Sequence, residues 1–597
     1  MLHATHREEE RLDASLTVDD RLLPLPHLHL SNCLKSIETG NLSSVSELLN
    51  ILSDASTAAL SEESPMIDNA RSDALDALYR IRDFVSLPLL EETVKDALFY
   101  ELPKTISEFA GISDGCVVVV DEIIDCLVAK CSPRDMLSMF CEALSITTKS
   151  KNPFCYAAPL LTGLAKVTRC IQRRPFQQLA AVLPITLDVL KFLVTDNYAD
   201  EKEAINLFDR SLSIADSMQA TGETLAGALK ENLGALLSLF VLQLTALITF
   251  SIRSNIKLYL PLICRISSIL NCSDCSYVGL ITGSDVTRLS RIKNEVEEDY
   301  LQTYFCDIEL GASLVVIWGQ AFEEATQSAN ENLFTLKDEM RHNRMKRFQA
   351  FDMLKHVLLS GKLSWEFKQH AIEFLLVITN QDSARQDVYD HQNDCSTKNL
   401  YPLLQAITSV IMYSPIVALR KESFEALKKV LEDTPISLRF ETLQDLIRNS
   451  KISSMTAILL DLYRGELHKE RIRNSPSNWT STVLDLVQLV LKPSEGGPPQ
   501  LPEQCDSVLA ALNLFRFVLL TESASETNYT GIMVKTNLQK ATTEWLHPLR
   551  TLVTAIIADN KNDQAQLAEE TVYCLYPIQL VLYRCIELVE EKQQLFV

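Results

Sequence analysis

Apolar residues recur at i, i+3, i+4 and i+7 from near Ser31 to the C-terminus, in segments of about 15–20 residues. That spacing puts them on one face of a helix. Prolines 133, 153, 175, 261, 415 and 435 fall between the segments. Only 16 of the 597 residues are glycine, well under the usual ~7%. Folds rich in tight turns and phosphate-cradling loops need more. The pattern predicts an all-α chain. Residues 73–85 (DALDALYRIRDFV), 121–129, 134–144 and 176–194 read as helices.

The punctuation is clearest over 401–470. An apolar-periodic run over 404–413 stops at Ser414-Pro415. Pro415 suits the first turn of a helix running through 417–431, where a missing N–H costs nothing. Thr434-Pro435 repeats the device before a run over 438–447, and 453–467 makes another helix. A helix every ~20 residues is a helical pair every ~40, the period of HEAT-type repeats. The fold expected is an all-α, HEAT-like (armadillo-type) helical repeat solenoid. A flexible N-terminal segment is expected over 1–30, a HEAT-like region over 31–380, a loop over 381–398 and a C-terminal HEAT-like region over 399–597. Further loops are expected at 53–64, 521–530 and 493–503, the last (PSEGGPPQLPE) being rich in proline and glycine.

Apolar residues make up 47% of the chain, enough for a core and too many for a disordered protein. The net charge is −22, which argues against a duplex nucleic-acid binder. The deficit is uneven. Residues 401–597 hold 19 Lys/Arg and 23 Asp/Glu, a net of −4, and the first 400 hold 37 and 55, a net of −18. Fifteen cysteines are scattered, many inside apolar patterns such as Cys126 in DEIIDCLVAK. A reduced protein uses cysteine that way, as a small hydrophobe. The N-terminus MLHATHREEERLD has no apolar signal region, and the expected compartments are nucleus and cytoplasm. The run 233–252 (LGALLSLFVLQLTALITFSI) has the length of a membrane span. Gln243 in its middle and the lack of an adjacent Trp/Tyr belt favour a helix buried on all sides.

No P-loop, dinucleotide fingerprint, nucleophile elbow or H-E-x-x-H is present. The closest histidine pairs, His3 with His6 and His27 with His29, lie in the N-terminal segment. Cys272-x-x-Cys275 has no second pair to complete a zinc site and no βαβ context for redox work, and reads as two loop cysteines. The acidic run 295–299 reads as a solvated helix face. Residues 341–347 (RHNRMKR) read as the exposed face of a helix continuing through 348–359, with a nuclear-localisation signal as the rarer alternative. No cofactor, metal or catalytic residue is expected. The stretch 464–473 (RGELHKERIR) closes a helix and is followed by Asn478-Trp479. Arginines beside an aromatic have the composition of an interface hot spot, while cations also favour a helix C-terminus. Asn513 and Arg516, three apart in AALNLFRFVLL, share one helix face.

The block 414–467 (SPIVALRKESFEALKKVLEDTPISLRFETLQDLIRNSKISSMTAILLDLYRGEL) resembles the glomulin / aberrant root formation protein family. So do 507–520 (SVLAALNLFRFVLL) and 545–549 (WLHPL). Residues 131–144 (CSPRDMLSMFCEAL) are most similar to plant members. The match fades after Leu549. The resemblance implies a HEAT-like solenoid without catalytic activity. It also implies a C-terminal region that binds the RING-box subunit of cullin–RING ubiquitin ligases, and through it cullin. Binding would mask the surface used by the ubiquitin-conjugating enzyme. In plants the family is linked to lateral root formation and expected in the nucleus. On that basis the interface candidates are Lys469, Arg471, Arg473, Trp479, Asn513 and Arg516, with no nucleic-acid, membrane or small-molecule partner expected. Two rivals stay open: a HEAT-like adaptor for another protein partner, and a metalloprotein using Cys272 and Cys275.

Overall fold

A computed structural model describes residues 26–61, 67–88, 92–195, 200–295, 305–380, 400–473, 477–492, 497–561 and 566–594. The expectations for 381–398 and nearly all of 1–30 and 295–299 lie outside these residues. The described residues are helical with no strand. They form two compact units, residues 1–336 and 337–597.

The first unit begins with α1 (Pro26–Glu38), α2 (Ser43–Ala59), α3 (Ile67–Ser86), α4 (Glu92–Ser107) and α5 (Asp114–Lys130). Next come α6 (Pro133–Ser145), α7 (Pro153–Cys170), α8 (Pro175–Thr195), α9 (Glu201–Glu223), α10 (Ala228–Ser251) and α11 (Leu260–Cys272). The unit closes with α12 (Tyr277–Ile281), α13 (Ser284–Glu295), α14 (Ile308–Ala321) and α15 (Glu323–Ser328). Helices α3, α5, α7, α9 and α11 pack one on the next, and α2, α4, α6, α8 and α10 do the same. Successive helices thus alternate between two layers, the helical-pair repeat of a HEAT-like solenoid.

Local sequence sets the starts. Ser132 caps α6 by accepting from the Asp135 N–H, with Pro133 in the first turn. Pro153 and Pro175 likewise stand at the first positions of α7 and α8, where α7 has no side-chain cap. Pro415 and Pro435 differ. Helices begin at Val417 and Ile436, so these prolines stand just outside the first turn, Pro435 as the N-cap. The loop expected at 53–64 is overturned over 53–59, which continue α2. Ser56 and Ala59 are small enough to extend the buried stripe of Leu48 and Leu52.

Helix α10 is buried around its whole circumference over 235–249. It is one of four described helices long and apolar enough to cross a membrane by length and composition, and the most buried of them. Its polar Gln243 is satisfied internally. The side chain donates to Asp307 Oδ2 at 3.1 Å and accepts from the Asp307 N–H at 3.0 Å. Gly311 in α14 lies where a Cβ would stand 2.0 Å from the Leu242 carbonyl oxygen, so glycine sets how closely α14 approaches α10. The Trp318 indole, fully buried, donates to Thr249 Oγ1 at 3.1 Å.

In the second unit, α16 (Leu333–His342) straddles the boundary and is followed by α17 (Arg344–Leu359), α18 (Trp365–Ile378), α19 (Leu400–Tyr413) and α20 (Val417–Asp433). Then come α21 (Ile436–Asn449), α22 (Ser453–Ile472), α23 (Thr482–Leu491) and α24 (Cys505–Ser525). A short α25 (Lys535–Lys540) and a π-helical turn at Ala541–Leu546 lead into α26 (His547–Lys561) and α27 (Gln566–Gln594). Again two layers form. Helices α17, α19, α21 and α23 pack in series, and α18 packs on α20, α22 on α24, and α24 on α27.

The basic stretch 341–347 is not one exposed face, which corrects the sequence expectation. It is split between α16 and α17, with Asn343 capping α17 by accepting from the Lys346 N–H. Arg347 is 1% exposed. Its guanidinium pairs with both Asp433 carboxylate oxygens and donates to the Met340 and Arg341 carbonyls. Burying a guanidinium is costly unless its donors are met, and here α20 and the end of α16 meet them.

Candidate protein-binding surface

Helix α22 ends in the basic stretch singled out from sequence. Arg464 pairs with Asp461, 3.1 Å away within the helix. Lys469 pairs with Glu466 at 2.8 Å and reaches Glu432 on α20 at 3.4 Å. Arg471 donates to Thr521 Oγ1 on α24 at 3.1 Å. Arg473 caps the helix end and is exposed. The stretch therefore serves partly as helix-end electrostatics and partly as a bridge to α24.

Two carboxylates organise the ground beneath it. Burial pushes the Glu466 carboxyl up, but hydrogen bonding from Lys469 and the Arg439 guanidinium outweigh that and hold it below its ordinary value. Glu470 is buried and accepts from Ser477 Oγ, the Asn478 N–H and Asn478 Nδ2, fixing the turn after α22. That turn delivers Trp479 into the interior. At 4% exposure, Trp479 does not form the surface. Its Nε1–H donates to the Leu467 carbonyl at 3.3 Å, and its ring lies 5.8 Å from that of Phe517. His468 meets Phe517 from the other side, edge-on at 6.0 Å. Trp479 thus props α22 against α24 from below.

Asn513 and Arg516 lie on α24, half-buried, with no side-chain hydrogen bond or ion pair among the described residues. Leu509, Asn513, Arg516, Phe517 and Leu520 make one partly exposed stripe along α24 at helical spacing. The polar loop expected at 521–530 begins later than predicted, because α24 continues to Ser525. Glu522 is buried there, bonded to the Thr530 N–H and hydroxyl, and burial raises its carboxyl above the ordinary value against those bonds. The WLHPL block falls in the π-turn and the start of α26. Trp545 is buried and stands edge-on to Phe515 at 5.9 Å, so this block is core rather than contact surface.

The sequence reading expected helix to the C-terminus but missed the exposed side of the last one. Tyr573, Tyr576, Leu580 and Tyr583 are all exposed, Tyr573 at 68% and Leu580 at 73%. Their spacing of three, four and three residues puts them on one side of α27. The signal was available. In the run TVYCLYPIQLVLYRCIEL, Gln579, Arg584 and Glu587 stand against a majority of apolar and tyrosine residues, a larger share than one buried side of a helix needs. Helices α22, α24 and α27 lie side by side in one layer, and the outer side of each carries exposed apolar residues, Ile472 on α22 and Leu520 on α24 among them.

Comparison with known proteins gives this surface a lineage. Aberrant root formation protein 4 of Arabidopsis thaliana is 42% identical over 581 residues, covering 94% of this chain and 92% of that protein. The chain belongs to the glomulin and aberrant root formation protein family. A family model described as an uncharacterised protein family, YAP/Alf4/glomulin, matches residues 353–585, nearly all of the second unit. Human glomulin is 24% identical over 154 residues, 26% of this chain and 25% of glomulin, and mouse glomulin is 23% identical over the same length. A crystal structure of importin beta aligns with 95% of this chain and 68% of its own at 11% identity, with a TM-score of 0.23. The family's relatives here carry no enzyme name. Among the described residues no three His, Cys, Asp or Glu side chains group as a metal site. Cys272 is exposed while Cys275 is buried beside Ser238.

Proposed function

We propose that this protein is a non-enzymatic regulator that binds the RING-box subunit of cullin–RING ubiquitin ligases and inhibits them. Binding covers the surface the ubiquitin-conjugating enzyme needs, so the mechanism is steric competition. The observation that carries the reading is family membership, which spans nearly the whole chain, with the family model falling on residues 353–585 of the second unit. That unit offers a broad helical layer bearing Arg516 and Asn513, which have no hydrogen-bonded or ion-paired side-chain partner among the described residues. Stacked helices give a long rigid face without a catalytic pocket, and an interface of ~800 Å² per partner suffices to occlude an enzyme site. By the kinship with aberrant root formation protein 4, the process served in plants is lateral root formation. The site of action is the nucleus and cytoplasm.

The test is a pull-down of the full-length protein with a purified RING-box–cullin complex, read beside a ubiquitin-chain assay. Binding with loss of chain formation is expected. Binding without inhibition would make the protein an adaptor, and absence of binding would overturn the reading. Imaging a fluorescent fusion checks the compartments.

A further inference from the structure

We infer that the exposed stripe of α27, Tyr573, Tyr576, Leu580 and Tyr583, together with Arg516 on α24, is the docking surface for a compact protein domain that presents an apolar patch edged by carboxylates. On the reading above, which this inference rests on, that domain belongs to the RING-box subunit.

Four large apolar side chains in a row on one helix leave water in contact with surface that a solvated helix would not carry. Tyrosine is among the residue types enriched at protein interfaces, because it brings contact area with little rotamer entropy and a polar tip. The stripe runs from 573 to 583, about 15 Å of helix at 1.5 Å per residue. Alone, one helix side of that length falls short of the ~800 Å² per partner of a stable complex, so two copies meeting stripe to stripe are too small a contact. The neighbours supply the rest. Three helices at ~8–10 Å spacing give a layer roughly 25–30 Å wide, the breadth of a standard interface.

Charge selects the occupant. Cys585 Sγ on α27 donates to the Leu512 carbonyl at 3.6 Å, one turn of α24 before Arg516, so Arg516 stands on the stretch of α24 that packs against that helix. It is half-buried and has no carboxylate partner among the described residues. Arg471 and Arg473 add cations on α22, and neither forms an ion pair among the described residues. A carboxylate arriving from a partner would meet Arg516 in a partly desolvated setting, where a charge-assisted bond is strong. A lipid surface fits poorly. Among the exposed charges that follow the stripe, Arg584 is paired with Glu587 and Glu591, and Glu590 adds a further carboxylate, so this end of α27 is acidic on balance and not the basic face that holds a helix to anionic lipid.

The experiment uses the full chain and a purified RING-box–cullin complex. Two variants are compared with wild type, Y576S/L580S/Y583S and R516E. A control, Y413S/V417S, alters exposed apolar residues on α19 and α20. All altered side chains in the triple variant and the control are exposed, so thermal unfolding and circular dichroism should match wild type. Each of the first two variants should weaken binding at least tenfold, and the control less than twofold. Equal binding by wild type and the triple variant would overturn the surface and leave the RING-box reading standing. No binding by wild type would overturn both. Sedimentation of wild type and triple variant alone adds a decisive arm: a wild-type dimer abolished by the triple variant would assign the stripe to a second copy and overturn the partner assignment. Flotation with anionic vesicles lost in the triple variant would do the same in favour of lipid.

Discussion

The two units share one repeat logic and spend their charges differently. The first holds 27 Lys/Arg against 46 Asp/Glu, a net of −19, and the second 29 against 32, a net of −3. In the first unit, cations form a ladder over one layer. Arg82 on α3 pairs with Glu122 on α5 at 3.1 Å, and Lys166 on α7 pairs with Asp125 on α5. Arg210 on α9 reaches Asp121 on α5 and Thr162 on α7, and Arg265 on α11 reaches Asp209 and Asp216 on α9. These pairs are part-exposed, and water competes for them. In the second unit two arginines turn inward, while Arg448, Arg473 and Arg584 stay exposed. Arg347 with Asp433 and Arg439 with Glu466 are nearly sealed from solvent. These inward cations tie helix ends together, and the outer side of α22, α24 and α27 carries exposed apolar residues beside Arg473 and Arg516. The first unit reads as a stack whose surface is built for water, and the second as one whose outer layer is built for a partner.

The largest expected difference lies in the arginines. Arg347→Ala removes the guanidinium from its nearly sealed pair with Asp433 and should destabilise the second unit by about 3–5 kcal/mol. Arg265→Ala in the first unit should cost at most about 1 kcal/mol. Denaturant unfolding followed by unit-specific fluorescence checks this; similar losses at the two sites would erase the distinction.

An intermediate effect is expected at the buried polar link of the first unit. Gln243→Leu removes both hydrogen bonds to Asp307 and should cost about 1–3 kcal/mol. If the variant unfolds like wild type, α10 is held by its apolar faces alone.

A smaller effect follows from pH. The Glu466 carboxyl is held below its ordinary value in the folded protein. Its stabilising contribution is therefore complete above the unfolded value near 4.5 and is lost as pH falls through the folded value. Glu522 is raised and runs the other way. Its burial as an anion costs stability at neutral pH, and that cost is relieved as pH falls through its folded value towards 4.5. Glu466→Gln should flatten the acid-side loss of stability in the second unit, and Glu522→Gln should remove the opposing gain. Melting temperatures between pH 3 and 7 report both, and identical profiles for the two variants would contradict the assigned signs.

The smallest effect is ionic strength. Screening acts on exposed pairs more than on sealed ones. Raising salt to 1 M should therefore weaken the first unit's ladder by no more than about 1 kcal/mol in total while the arginine pairs of the second unit hold. Equal salt responses in the two units would blunt the contrast.

Much of the fold could be read in advance because helix formation is a local matter. The apolar spacing gave the helices around 73–85, 121–129 and 176–194, and prolines 133, 153 and 175, read as breaks between segments, stand at the first positions of α6, α7 and α8. The misreadings came where local rules meet tertiary packing. Residues 53–59 look like a polar tail, yet Ser56 and Ala59 find a buried face. Of the six site candidates, Lys469, Arg471 and Arg473 stand on the surface, Asn513 and Arg516 half-emerge from it, and Trp479 lies under it. Spacing alone cannot say which side of a helix its neighbours cover, so the tyrosines of α27 drew no notice.

By itself, then, the sequence determined an all-α chain of repeated helical pairs, because periodicity, proline placement and glycine scarcity act within a few residues of one another. Only the tertiary structure decided that Arg347 is a buried staple, that Trp479 is a prop rather than a contact, and that one side of α27 stays bare. Those outcomes depend on which helices stack beside which, and that is settled by packing between residues as far apart in the chain as Arg347 and Asp433, or Leu512 and Cys585.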